Sequence, residues 1–225
     1  VLRMSAFYVK SKRDYGAVEA AYRKLMRLHP ENGQIIVNFA AFYQHLHEYT
    51  QAERMYRTAI ELNPRWVRPV VDLAQVYRTT KKHDEAERLY LKAVELAPGQ
   101  AWHITNLAWF YYQVRLDYDA AEREFRKALA IDANSASAIN GLGNIYYIRA
   151  GNAAGAERQK FLEEAKQFNL QAIALDPTDG RYHADLALNL FRQDRKEEAM
   201  AEARQAITLG YKGPHPVFED LNLTP

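Results

Sequence analysis

Residues 65–98 read RWVRPVVDLAQVYRTTKKHDEAERLYLKAVELAP, and residues 31–64, just before them, read ENGQIIVNFAAFYQHLHEYTQAERMYRTAIELNP. Laid side by side, the two stretches share their punctuation. Phe39-Ala40, Tyr43, Ala52, Tyr56, Ala59 and Pro64 fall on Leu73-Ala74, Tyr77, Ala86, Tyr90, Ala93 and Pro98, with the same offset in every case. Pro30 continues the interval backward. A third copy follows in Leu107-Ala108, Tyr111, Ala121, Phe125 and Ala128, with one extra residue assigned to its turn and Ala133 in the proline slot. A fourth runs through Leu142-Gly143, Tyr146, Ala165, Ala172 and Pro177, and a fifth through Leu186-Ala187, Leu190, Ala199, Ala203, Ala206 and Tyr211. An incomplete leading copy carries Met4-Ser5, Tyr8, Val18, Tyr22 and Pro30. Self-similarity at such an interval marks an array of one supersecondary unit that buries its apolar face by stacking on its neighbours.

The slots have physical reasons. Ile104, Leu107, Ala108 and Tyr111 share one face of a helix. The small residues Ala40, Ala74, Ala108 and Gly143 let paired helices approach closely, and the tyrosine and large apolar slots fill the space between them. Proline after the second helix stops it and directs the chain into the next copy. Glu53–Arg57 and Glu122–Arg126, each one helical turn apart, suit exposed helix faces.

This pattern resembles the tetratricopeptide repeat, a helix–turn–helix unit of about 34 residues, over nearly the whole chain. The resemblance implies an all-α fold, a right-handed α-solenoid of antiparallel helix pairs. The expected organisation is one array: a partial repeat over 1–32, repeats at 33–66, 67–100, 101–135, 136–179 and 180–213, and a capping tail over 214–225. The stretch from Tyr146 to Ala165 in the fourth copy is about twice as long as its counterpart from Tyr77 to Ala86 in the second. Gly151-Asn152-Ala153-Ala154 reads as a tight turn, and Glu157 to Lys166 as an N-terminal extension of the second helix. Asn169 stands in the aromatic slot of that copy, with Phe168 beside it. Gly210 reads as a helix stop, and Val217, Phe218 and Leu221 as the cover for the open end.

Thirty basic and 28 acidic side chains nearly cancel, and the signs are interleaved, which argues against a nucleic-acid surface. The densest basic cluster, Lys10, Lys12 and Arg13, reads as a solvated loop between helices. With no cysteine there is no disulfide, thiolate metal site or cysteine nucleophile. No apolar run is long enough for membrane insertion. The sequence starts at Val1 inside a repeat, without a signal-peptide pattern, so a longer native chain is expected and the compartment, cytoplasmic or periplasmic, stays open.

Motifs for catalysis are missing: there is no phosphate-cradling glycine loop, no GxSxG and no HExxH. His45, His47 and His83 sit in adjacent turns and read as a solvated rim rather than a zinc site. Asp117 with Asp119, and Glu163 with Glu164, belong at turns and helix starts, where the dipole favours acids. The expectation is therefore no enzyme, no cofactor and no metal.

What remains is a surface. The resemblance implies a concave groove lined by the first helix of each pair, with Asn38, Asp72, Asn106, Gly141 and Asp185 pointing into it. That row is similar to the asparagine ladder of the O-GlcNAc transferase superhelix, in which amides hold the backbone of a threaded peptide. An asparagine offers a donor and an acceptor, the complement of one peptide unit. Asp72 and Asp185 each have an arginine one turn earlier, Arg68 and Arg181, so an intrahelical ion pair and a ligand contact are both open there. Asn144 and Asn189 are read as further amide contacts. Relatives that clamp acidic chaperone tails use lysines on the first helices. From Gly33 onward the first helices here contain none. Trp102, Thr105, Trp109 and Tyr112 share a helix face opposite the core stripe, and Tyr147 follows in the next copy. The expected partner is a protein or extended peptide, gripped by Asn38, Asp72, Trp102, Asn106, Trp109, Tyr112, Asn144, Tyr147 and Asn189. The alternative is the substrate-recognition arm of a larger, glycosyltransferase-like enzyme; self-association through the first repeat is also open.

Overall fold

The computed structural model describes residues 12–213 and 215–223, with side chains from residue 15 onward. Met4, Ser5, Tyr8 and Lys10 lie outside the described residues. Two compact units divide at Pro98 and Gly99. The first holds α1 (Lys12–Leu28), α2 (Gly33–His45), α3 (Tyr49–Leu62), α4 (Val67–Thr79) and α5 (His83–Leu96). The second holds α6 (Ala101–Phe110), a π-turn (Tyr111–Arg115), α7 (Tyr118–Ile131), α8 (Ala136–Asn152), α9 (Gly155–Leu175), α10 (Gly180–Arg192), α11 (Lys196–Thr208) and α12 (Pro216–Asp220). The described residues include no strand. Lys12 and Arg13 open α1 and so belong to a helix, where the sequence suggested a loop.

Each pair is an antiparallel helix hairpin, and the turns have a common chemistry. His47, Lys81 and Asp194 take φ of 60°, 61° and 59°. In each case the next amide reaches back to the carbonyl of the residue in the tyrosine slot: Glu48 N–H to Tyr43 at 2.9 Å, Lys82 to Tyr77 at 2.8 Å and Arg195 to Leu190 at 3.0 Å. This is the Schellman closure, which satisfies otherwise orphaned carbonyls at the end of the first helix. The third copy departs. Its extra residue is absorbed inside the first helix as the π-turn rather than in the loop, and Leu116 takes the left-handed position at φ 54°.

The small slots sit where the helices touch. Ala40, Ala74, Ala108, Ala121, Ala128 and Ala187 have no solvent exposure. Replacing Ala74 or Ala108 with leucine is expected to destabilise the fold by roughly 1–3 kcal/mol through overpacking. Thermal melts check this, and an unchanged melting temperature in both variants would mean that these alanines are not at a tight contact.

A polar device recurs between copies. Glu19, Glu53 and Glu122 each bind the arginine one turn on (Arg23, Arg57, Arg126) at 2.7, 2.8 and 2.7 Å. The tyrosine of the following first helix joins the pair. Tyr43 donates to Glu19 at 3.0 Å, Tyr77 to Glu53 at 3.1 Å, and Arg126 donates to the Tyr146 hydroxyl at 3.1 Å. Burial works to raise the Glu53 carboxyl, but hydrogen bonds from Lys82 and Tyr77 outweigh it and hold it below the usual range. Each set ties a second helix to the first helix of the following copy.

The insertion in the fourth copy lengthens both of its helices. α8 has 17 residues where α4 has 13, and α9 has 21 where α5 has 14. Gly151 and Asn152, which read as a turn in the sequence, continue α8, and only Ala153-Ala154 is extended. Asn169 is buried over Gly143, where a Cβ would stand 2.5 Å from its Oδ1, while Phe168 supplies the ring against Tyr146 at 5.3 Å. At the far end Val217, Phe218 and Leu221 are buried among Ala184, Leu186, Leu190 and Ala203.

Candidate functional site

Within the second unit the first helices α6, α8 and α10 pack in sequence, and their outward residues form one face. Trp102, in the first turn of α6, leaves half its surface in water (50% exposed) and tilts over His103 at 4.5 Å. One turn on, the Asn106 amide nitrogen is buried without a hydrogen-bond partner. An unpaired buried donor costs about 1–3 kcal/mol. Thr105 is buried and donates to the Ala101 carbonyl at 3.0 Å, so it takes no part in the face.

Trp109 works inside the fold, a correction to the expectation that both indoles line a groove. Its Nε1 donates to Ser137 Oγ on α8 at 2.9 Å, and its ring meets the edges of Phe125 at 5.2 Å and Tyr112 at 5.5 Å. Burial raises the Tyr112 hydroxyl far above its ordinary pKa, with the negative charge of Asp185 adding to the effect, so it stays a proton donor. Tyr147 is raised in the same way by burial, opposed by Arg192, whose guanidinium lies 5.8 Å from the ring centre.

Asp185 is a junction. It accepts Nδ2 of Asn140 at 2.7 Å and of Asn144 at 3.2 Å, both on α8, and its other oxygen lies 3.0 Å from His215 Nε2 in the tail. The Arg181–Asp185 pair that the spacing allowed does not form. Arg181 turns to Asp179, the N-cap of α10, which binds both its backbone N–H and its guanidinium. Asn144 is thus engaged within the protein. Asn189 does not reach the face at all. It is fully buried, its Oδ1 accepts Gln193 Nε2 at 2.6 Å, and that nitrogen also lies 3.3 Å from the Leu162 carbonyl of α9. Gly141 offers no ladder contact either, because the Phe125 ring lies where its Cβ would be.

In the first unit the corresponding positions are Asn38 on α2 and Asp72 on α4. Asn38 Oδ1 accepts Gln34 Nε2 at 2.9 Å. Asp72 pairs with Arg68 at 3.6 Å, as its spacing allowed. Burial nevertheless pushes its carboxyl up to about 6, with the Arg68 charge opposing. A carboxyl raised on folding costs stability in its charged form. That cost is absent below about pH 4, grows between about pH 4 and 6, and is complete above about pH 6. Asp72→Asn is therefore expected to be more stable than the parent by about 1–3 kcal/mol at pH 8, with the difference closing by pH 4. Melts of both proteins at pH 4, 6 and 8 test this; a difference independent of pH would contradict it. Among the described residues no group of three histidine or acidic side chains is placed to hold a metal ion. Nor is any helix there long and apolar enough to cross a membrane.

Helix pairs that recur at the interval of Pro30, Pro64 and Pro98, with small residues at the contacts and a tyrosine near the end of most first helices, define a helical-repeat protein. Residues 43–101 match the family model described as tetratricopeptide repeat. No curated protein sequence matches it. Among solved structures, a tetratricopeptide repeat protein from Parabacteroides merdae superposes with a TM-score of 0.71 at 20% identity, covering 94% of this chain and 78% of that one. Yeast Tom70 gives 0.71 at 20% identity, over 91% of this chain and 41% of Tom70. YrrB, described as a TPR protein with an unusual peptide-binding site, gives 0.54 at 18% identity over 84% and 92%. At these identities the likeness establishes the fold.

Proposed function

We propose that the chain is a protein-binding scaffold and that the first-helix face of the second unit takes an extended peptide. The observation that carries this reading is the pairing of Trp102 with Asn106. A large indole stays half in water one helical turn from an amide nitrogen that has no partner. Both are unfavourable left as they are, and one ligand relieves both. An apolar or aromatic side chain covers the indole, and a peptide carbonyl accepts the Asn106 N–H₂ once the amide turns outward. Tyr112 and Tyr147 form the floor and rim, while Asn38 and Asp72 hold the corresponding positions in the first unit, where Gln34 and Arg68 engage them. The peptide-binding description of YrrB supports the same reading by likeness of fold.

Selection of displayed random dodecapeptides on the immobilised protein tests it. Recovered peptides are expected to share an apolar or aromatic residue and to lose at least about tenfold in affinity on Trp102→Ala, equivalent to about 1.4 kcal/mol. No enrichment, or equal binding to the variant, would contradict the reading.

A further inference from the structure

The extended helices of the fourth copy contribute to a cleft. Between the end of α8, the start of α9 and the end of α10 lies an open cleft of about 250 Å³. Its lining includes Ala150, Gly151, Asn152 and Arg158, all from the stretch where this copy exceeds its neighbours, together with Tyr147 and Arg192 from the first helices. The insertion is what makes the cleft.

Its chemistry is unbalanced. The positive charges of Arg158 and Arg192 both act on the Tyr147 hydroxyl. Neither arginine has a carboxylate within salt-bridge distance among the described residues. Elsewhere in the same unit Arg126, Arg149, Arg181 and Arg195 each lie within 3.3 Å of an acid. The negative influence on Tyr147 comes from Asp220 on α12, which reaches it only as a field. The carbonyl end of α8 favours a nearby cation, but that accounts for one guanidinium, not for two beside a single phenol. Ile148, Ala150 and Leu162 form an apolar wall in the same cleft.

We propose that this cleft binds the side-chain carboxylate of a glutamate or aspartate in the bound peptide, with Arg158, Arg192 and the Tyr147 hydroxyl as donors. A guanidinium presents paired N–H groups that match a carboxylate, and the phenol adds a third donor. The apolar wall selects a carboxylate on a methylene stem over one attached directly to the chain end. The inference rests on the peptide-binding reading above and adds an acidic residue to the partner's description.

The test uses small probes on the full chain and so does not depend on finding the partner. N-acetylglutamate α-amide, N-acetylglutamine amide, N-acetylglycine and inorganic phosphate are titrated while the arginine Nε–H resonances are followed by NMR. Saturable movement of Arg158 and Arg192 with the glutamate probe is expected, with none for the glutamine probe. Arg158→Gln or Arg192→Gln should weaken binding at least about tenfold, as befits loss of a charged hydrogen bond. Both sites are on the surface, and circular dichroism confirms the fold. No saturable movement, or binding of N-acetylglycine or phosphate as tight as that of the glutamate probe, overturns the proposal. Peptides that still need Trp102 would then leave the peptide-binding face standing without this cleft.

Discussion

Trp102→Ala and Trp109→Ala are expected to fail in opposite assays. Trp109 spans two elements: its nitrogen is bonded to Ser137 on α8 and its ring edges the fully buried Phe125 on α7. Truncation removes a hydrogen bond, opens a void beside Phe125 and frees Tyr112. The loss is put at about 2–4 kcal/mol, below the upper end for a tryptophan because the ring is not wholly enclosed. Trp102 has half its surface in water, so its removal should change stability by no more than about 0.5 kcal/mol. Its loss is expected in binding instead. Chemical denaturation separates the two variants. An undiminished stability of Trp109→Ala would contradict this packing, and a strongly destabilised Trp102→Ala protein would make that indole part of the core.

Gly141→Ala is expected to be the most damaging addition of a single methyl group. The new Cβ would stand 2.2 Å from Phe125 Cζ and 2.5 and 2.6 Å from the two Cε atoms. The ring cannot swing aside, because Phe125 is fully buried and Trp109 holds its edge. Alanine in a helix interior would otherwise gain about 1 kcal/mol over glycine. The sign of the effect is therefore diagnostic. A net loss of roughly 2–3 kcal/mol is expected, with partial recovery when Phe125→Leu is added. A stabilised Gly141→Ala protein would mean the ring does not lie over α8.

Gly141 also shows where sequence reasoning stops. In the alignment of copies it occupies the slot of Asn38 and Asn106 and resembles a lost amide; what fixes it is the Phe125 ring on the preceding helix. Asp185 is a similar case. Its local partner, Arg181, was visible one turn away, but the N-cap Asp179 is nearer and takes it. The donors that replace it, Asn140 and Asn144, come from another helix far back in the chain. Asn189 was misplaced because a shift of a single position on a helix turns a side chain by about 100°. The alanine slots, the helix pairs and the long second helix of the fourth copy were legible, since each rests on period and spacing alone. The glutamate–arginine pairs were legible too, from their one-turn spacing. The tyrosine that joins them is written in the sequence as well, but it shows only when Glu19, Glu53 and Glu122 are aligned with Tyr43, Tyr77 and Tyr146.

An extended peptide lying over Trp102 on the first-helix face of the second unit is tested most directly by NMR. The indole N–H resonances of isotopically labelled protein are assigned with Trp66→Phe, Trp102→Phe and Trp109→Phe, and followed as a peptide from the display selection is added. The Trp102 resonance is expected to move to a saturable end point. The Trp109 resonance, held by Ser137, should move less, and that of Trp66 in the other unit should stay in place. Saturable binding with Trp102 unmoved, or movement led by Trp66, would contradict the account.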